Sequence, residues 1–454
     1  MRIAMLSYHT CPLATLGGKD TGGMNVYVRD LTRELGRRGL RVDVFTRSQD
    51  EHQPHVKEEL GYGNRVIHIP AGPEVPLPRE ILYQHVPEFV GGVREFARAN
   101  DLHYDVIHAH YWLSGVAARS LRETWHIPFV LMFHTLGHMK NRVAQSEAER
   151  EGALRVQVET ELMAQADRLI AATPAEIAQM QWLYGADVSR AVIIPPGVDL
   201  NLFYPRPANV AKQRIGVDPD RILLLFVGRI EPLKGLETLL RALAVLKERG
   251  VCQCNQLALS IIGGDPEEDA AQRNAEMERI KALRSRLGLE GMVTFLGKQD
   301  QDTLPDYYSA ADAVVMPSHY ESFGMVALEA MACGTPVIAS EVGGLAFLVK
   351  DGETGFHVPD RDPEALADRI CDIITDPLLR AKLGGQAAEY ARSYCWPLIA
   401  DKIIAVYREL HTGRAPAWLE RRGKAHDGAA LTSETASASP DPTPRPAGNG
   451  AAVY

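Results

Sequence analysis

Arg221-Ile222-Leu223-Leu224-Leu225-Phe226-Val227, passing directly into Gly228-Arg229-Ile230-Glu231-Pro232-Leu233-Lys234-Gly235, is the stretch whose reading decides the fold. An unbroken apolar run that ends at a glycine reads as a short strand of a parallel sheet. It is a second beginning. Upstream, Pro195-Pro196-Gly197-Val198-Asp199 breaks a regular alternation of short apolar runs and helical stretches, and the chain to about Pro207 is loop-like. Such alternation builds βαβ units. Before the break it predicts strands at Arg2–Leu6, Arg41–Thr46, Val66–Ile69, Val106–Ala109, Phe129–Phe133, Arg168–Ala172 and Ala191–Ile194. A helix from about Met24 to Arg38 is closed by Gly39. After the break it predicts further strands at Leu257–Ile262, Val293–Leu296, Ala313–Met316, Pro336–Ala339 and Gly355–Val358. The fold class is α/β, with two Rossmann-like, doubly wound domains of similar size facing across a cleft, the default place for a ligand. The expected partition is 1–198, 199–395, a helix over 396–411 returning to the first domain, and a disordered tail over 412–454. There the composition turns to Ala, Pro, Ser, Thr and Gly and cannot bury enough apolar surface to order itself.

Working outward, the chemistry collects at predicted strand ends. Arg229 and Lys234 leave the opening strand of the second half together, placed to clamp a diphosphate. The segment lacks Gly-x-x-x-x-Gly-Lys-Ser/Thr, so it is not an ATP-hydrolysing phosphate loop. His319-Tyr320-Glu321-Ser322-Phe323-Gly324-Met325-Val326-Ala327-Leu328-Glu329-Ala330 puts two carboxylates across the start of a helix. Eight residues at helical rise separate Glu321 and Glu329 by about 12 Å. That suits a sugar nucleotide: Glu321 for pyranose hydroxyls, the amides of Ser322, Phe323, Gly324 and Met325 for the diphosphate, and Glu329 for the ribose. In the first half, Gly17-Gly18-Lys19-Asp20-Thr21-Gly22-Gly23-Met24-Asn25 joins the first strand to the first helix, and its glycine pairs let a diphosphate approach the backbone. It is not Gly-x-Gly-x-x-Gly, and nothing in the expected frame signals NAD. His108 and His110 share one face of a strand without the further ligands zinc needs, and read as satisfied histidines, with Tyr111 reaching the cleft. His134, in Phe133-His134-Thr135, ends another strand on the same sheet edge, placed to touch a substrate.

Bulk properties exclude several classes. The 454 residues carry a net charge of −9, so nothing points to nucleic acid. With 46% hydrophobic residues the chain can fill two substantial cores, yet no apolar run is long enough to span a bilayer. Six scattered cysteines make no disulfide framework, and Cys252-Gln253-Cys254 lacks a second ligand pair. A cytoplasmic protein is expected.

In combination, Gly22-Gly23, Val227-Gly228-Arg229 with Lys234, the Glu321–Glu329 segment and Ala332-Cys333-Gly334-Thr335-Pro336-Val337 resemble glycosyltransferase family 4, retaining enzymes of GT-B fold. The resemblance covers roughly Met1 to His411, and the final helix looks like the family's crossover. It implies a UDP-sugar donor held by Gly23, Arg229, Lys234, Gln299, Glu321, Ser322, Phe323, Gly324, Met325 and Glu329. Chemistry is implied at His134, Arg229, Lys234 and Glu321, by same-face attack in which the leaving phosphate takes the acceptor's proton. His9-Thr10, Pro12-Leu13 and Gly22 to Val28 are similar to members with a phosphorylated acceptor of the D-inositol 3-phosphate type. For that acceptor the resemblance implies His9, Asp20, Thr21, Gly22, Gly23, Met24, Asn25, Arg79, Tyr111, Thr135 and Arg155. Arg79 stands where those members carry lysine. No cofactor is required for the chemistry. A structural Mg²⁺ at Tyr308, Ser309, Ala311 and Thr335 and a homodimer occur among the readings the resemblance leaves open. Gly137-His138-Met139-Lys140-Asn141 is also similar to sucrose-phosphate synthases. A lipid or polysaccharide acceptor would want a basic or apolar first-domain face, which the composition does not suggest. A non-catalytic sugar-nucleotide binder would not need Arg229, Lys234, His134 and Glu321 together.

Overall fold

The apolar runs assemble into two separate, mainly parallel sheets in a computed structural model that describes residues 1–14, 22–144, 146–251, 256–264 and 275–413. In spatial order the eight-stranded sheet runs Val56–Lys57, Arg65–Ile69, Arg41–Arg47, Arg2–Leu6, Val106–His110, Phe129–Met132, Arg168–Ala171, Ala191–Ile193. The six-stranded sheet runs Val293–Gly297, Leu257–Ile262, Ile222–Val227, Ala313–Met316, Val337–Ser340, Gly355–Val358. In each sheet the strand that comes first among the long ones lies centrally: Ile3 pairs with Val42 on one side and Val106 on the other, and Leu224 pairs with Leu259 and Ala313. The winding therefore reverses beside Arg2–Leu6 and beside Ile222–Val227, and a crevice opens past their carboxyl ends. Leu223, Leu224 and Leu225 are fully buried, as a strand covered by helices on both faces requires. Each such side chain contributes about 1.5–3 kcal/mol of burial.

Two local differences from the sequence expectation have plain causes. Val56–Lys57 pairs antiparallel with Arg65–Ile69 and covers a sheet edge; two residues carry no periodic signal by which to find it. The strand predicted over Phe129–Phe133 ends at Met132, because His134 takes a left-handed backbone (φ 61°) that turns the chain out of the sheet.

The chain passes between the sheets twice, and the two passes lie side by side. Val198 and Cys395 form a parallel bridge, with Val198 N–H donating to Tyr394 O at 2.9 Å. The following helix, Trp396–Thr412, returns to the first sheet. There Tyr407 and His108 share a hydrogen bond (Oη···Nδ1 2.7 Å), Glu409 pairs with Arg168, and Asp401 meets Arg38 Nε at 2.9 Å. The tail expected over 412–454 begins inside this helix, which takes in Thr412; residues 414–454, and Cys252 and Cys254, lie outside the described residues. Among the described residues no helix is long and apolar enough to cross a membrane.

Candidate functional site

Past the carboxyl ends of both sheets lies a cavity of about 320 Å³, lined from both halves. Two helices begin at its wall. One is Gly23–Arg37; the other is Met325–Ala332, entered through Gly324 at φ 105° with no side chain capping it. The starts nearly touch, since a Cβ on Gly23 would stand 3.3 Å from Met325 Cγ. Two helix N-termini turned to one space, each with main-chain N–H groups lacking intrahelical acceptors, favour an anion there. The turn before the first helix is held by Asn25. Its Nδ2 donates to Thr10 Oγ1 and Cys11 O, both at 2.7 Å, and its Oδ1 accepts from Gly22 N–H at 2.9 Å. Asn25 lines the cavity with its amide already engaged and shapes the turn. Asp20 and Thr21 lie outside the described residues.

On the second-half side, Gly228 and Arg229 follow the central strand, and Lys234 closes the short turn Pro232–Lys234. That turn docks on the neighbouring strand end: His319 N–H donates to Leu233 O at 2.9 Å. Gly235, at φ 67°, has no room for a Cβ, which would fall 1.9 Å from Pro317 O. The docking brings Lys234 Nζ to 2.5 Å from Glu321 Oε2, a pair that sequence reading treats as two separate residues. Arg229 Nη1 lies 2.8 Å from Glu231 Oε1. Arg229, Lys234, Gln299, Glu321, Ser322, Phe323, Gly324, Met325 and Glu329 all line the cavity. Thr10, Tyr27, Lys298, Gln301 and Ser318 line it too. Thr10 and Tyr27 fall within the opening signature without being singled out, and no sequence signal distinguishes the other three.

Glu329 is buried, its Oε2 accepting the Tyr308 hydroxyl at 2.8 Å. Burial raises its carboxyl to about 7, opposed by the Tyr308 hydrogen bond. The sign for stability follows. The unfolded chain releases this proton near the ordinary carboxylate range while the folded chain keeps it, so this contribution is lost as pH rises toward 7. Between about pH 5 and pH 7.5 the native protein should lose about 2 kcal/mol more than Glu329→Gln does. Urea denaturation of both proteins at the two pH values measures this; equal losses would overturn it.

The first-half side has a different character. His9, Arg79, Tyr111, Thr135 and Lys140 line it, with His134 between the halves. Three buried polar atoms of cavity-lining residues in this half, His9 Nδ1 and the Tyr27 and Tyr111 hydroxyls, have no hydrogen-bond partner, a lack that a ligand could meet. Tyr111 (φ 78°) and His134 (φ 61°) both hold left-handed backbone that bulky residues rarely adopt, a strain that concentrates at functional positions. Burial pulls His134 down to about 3, so it is neutral, and its Nε2 lies 3.0 Å from His110 Nδ1. His9 is also driven well below its ordinary value, by burial and then by Arg79. Neither histidine carries charge at neutral pH. What His134 can offer a ligand there is a hydrogen bond and its dipole, without an imidazolium's charge.

One expected acceptor residue stands elsewhere. Arg155 is outside the cavity wall, only 3% exposed, and engaged by Glu159 (2.7 Å), Glu151 (2.8 Å) and the carbonyl and hydroxyl of Thr135 (2.8 and 3.1 Å). Its guanidinium also lies over the Tyr111 ring. It braces Thr135 and Tyr111 from behind. The cation that reaches the cavity in its place is Lys140, which shares Glu151 with Arg155 at 2.7 Å. Sequence reading passes over Lys140 because nothing in its own segment says which side of the helix Gly137–Val143 meets the cleft.

Of the four residues considered for a structural Mg²⁺, Tyr308 and Thr335 already pair with each other. The Tyr308 carbonyl already accepts from Thr335 Oγ1 at 2.6 Å and Ala311 N–H at 3.1 Å. Among the described residues no three of His, Cys, Asp or Glu gather to hold a metal ion.

Two family models match the chain: Glycosyltransferase Family 4 over residues 21–202 and Glycosyl transferases group 1 over residues 208–390. A D-inositol 3-phosphate glycosyltransferase of Actinosynnema mirum is 42% identical over 407 residues, 89% of this chain and 96% of the relative. The enzyme of that name in Thermomonospora curvata is 40% identical over 413 residues, 89% and 95% of the two chains. Among solved structures, a sucrose-phosphate synthase from Thermosynechococcus elongatus superposes with TM-score 0.83 at 38% identity, covering 91% of this chain and 100% of that one. HepE of Anabaena, solved with UDP and glucose, superposes with TM-score 0.69 at 23% identity, covering 90% and 100%, a likeness of fold.

Proposed function

The chain belongs to the family 4 glycosyltransferases of GT-B fold, and on that premise we propose that it moves a hexose or N-acetylhexosamine from a UDP-sugar to a phosphorylated polyol of the D-inositol 3-phosphate type, with retention at the anomeric carbon. One observation carries the reading: a single cavity holds two anion-seeking ends. Arg229, Lys234 and two helix starts face one end; Arg79 and Lys140 with the unpartnered His9 and Tyr111 atoms face the other. A sugar nucleotide and a phosphorylated acceptor would each neutralise one end and meet near His134. The names of the relatives at about 40% identity support the polyol phosphate.

The chemistry follows from the charges. Breaking the anomeric bond puts negative charge on the departing diphosphate and positive charge on the sugar. Lys234, Arg229 and the main-chain N–H groups at Gly23 and Ser322 to Met325 are arranged before reaction to stabilise the first. Among the described cavity residues the carboxylates are Glu321, paired with Lys234, and Glu329, bonded to Tyr308. Neither stands free as a nucleophile of the two-carboxylate kind. This supports same-face attack with the leaving phosphate taking the acceptor's proton, and His134 assisting beside the sugar.

A second reading places fructose 6-phosphate in the acceptor end, favoured by the sucrose-phosphate synthase neighbour. A donor-by-acceptor panel separates the two. UDP-glucose and UDP-N-acetylglucosamine are each offered with D-inositol 3-phosphate, fructose 6-phosphate and the free sugars. Product with D-inositol 3-phosphate is expected; product with fructose 6-phosphate alone would replace this reading with the second.

A further inference from the structure

Among the fully buried side chains of the described residues the largest is a charged one, Arg47. It ends the strand Arg41–Arg47 on the first sheet, outside the cavity wall. A buried guanidinium is costly unless its donors are met. The groups that meet it are main-chain carbonyls of one segment: Nε donates to Ala71 O at 2.8 Å, Nη1 to Val75 O at 3.0 Å, and Nη2 to Pro73 O. That segment, Ala71-Gly72-Pro73-Glu74-Val75-Pro76-Leu77-Pro78, has no helix or strand to hold it, and its prolines have no N–H to give. Arg47 gives three of the segment's carbonyls a donor; within the segment Val75 N–H also reaches Pro73 O at 2.9 Å, and Glu74 Oε2 lies 3.0 Å from His55 Nε2. Two more ties lie on either side of Arg79. Gly72 N–H donates to Glu88 Oε2 at 2.6 Å, and Tyr8 Oη donates to Leu82 O at 2.8 Å, beyond the segment's far end. Between them, four residues past Val75, stands Arg79, which lines the acceptor end of the cavity.

We propose that Arg47 is a positioning residue: its planar fork fixes the proline-rich segment so that Arg79 is presented to the acceptor's phosphate. The proposal rests on the reading of Arg79 as an acceptor contact. A lysine at 47 would keep the charge but offers one nitrogen where three carbonyls wait, so Arg47→Lys separates geometry from charge.

The test uses the full chain carrying Arg47→Lys, Arg47→Met or Tyr8→Phe, the last freeing only the Leu82 carbonyl should the first two fold poorly. Limited trypsin digestion of the native protein reads the segment directly, through cleavage after Arg79. Steady-state kinetics with D-inositol 3-phosphate as acceptor reads its consequence. Arg47→Lys should speed that cleavage and raise acceptor KM, each by about tenfold, with donor KM and kcat within about twofold. In an Arg79→Ala background the same substitution should add less than about twofold to acceptor KM, because residues acting as a unit are not additive. Unchanged cleavage, a parallel collapse of donor KM and kcat, or full multiplication of the two effects would overturn the proposal. Faster cleavage beside an Arg79→Ala variant of normal acceptor KM would support Arg47's hold on the segment and overturn the acceptor assignment of Arg79 instead.

Discussion

Lys234→Ala should lower kcat by on the order of 10²- to 10³-fold, the scale for removing one preorganised charge contact from a developing anion. The loss is expected in turnover because of how Lys234 is held. Lys234 is held before any ligand arrives, by the short turn Pro232–Lys234 docked on His319 and by Glu321 at 2.5 Å. A cation already aimed at the cavity needs no rearrangement as the diphosphate gains charge. Alanine removes that cation and leaves the Glu321 carboxylate facing the departing anion without its partner. The double variant Lys234→Ala/Glu321→Gln therefore recovers part of the loss caused by repulsion, though none of the stabilisation. Steady-state kinetics with saturating donor measure both, and turnover near the wild-type value in Lys234→Ala would end the assignment. An unchanged kcat with a raised donor KM would mean that Lys234 binds substrate and transition state equally.

Taking the phosphate off the acceptor is the second large effect. Arg79 and Lys140 line the acceptor end, with the Thr135 hydroxyl beside them. Burial pulls the Lys140 ammonium below its ordinary value while Glu151 pulls the other way. A neutral polyol would make no charged contact with either cation. Charged hydrogen bonds contribute about 1.5–3 kcal/mol each, so losing two should lower kcat/KM by roughly 10²- to 10⁴-fold. Comparing D-inositol 3-phosphate with free inositol under one donor measures it. Equal rates would show that the acceptor end recognises hydroxyls, not phosphate. Lys140→Ala should erase part of the difference between the two acceptors, while Arg155→Ala, acting from behind Thr135 and Tyr111, should weaken both acceptors alike.

The parts of this molecule legible in the amino-acid order are those set within a few residues of chain. Apolar runs bounded by glycine and proline mark both sheets, and the break at Pro195–Asp199 separates them. Gly22-Gly23, Arg229, Lys234 and the Glu321–Glu329 helix start are readable because a strand-to-helix turn must emerge at a sheet's carboxyl edge. Tertiary structure decided how those charges are disposed. Lys234 and Glu321 are far apart along the chain and become a pair only when two strand ends dock. Arg155, with a cation's credentials, is withdrawn behind the wall by two carboxylates, and Lys140 takes its place at the surface of the cavity. His134 loses its charge, and Glu329 keeps its proton up to about 7, through burial by segments from elsewhere in the chain. Periodicity is a property of neighbours in sequence, so the fold can be read there. Desolvation and charge pairing are properties of neighbours in space, and they set the protonation, reach and partners on which the chemistry rests.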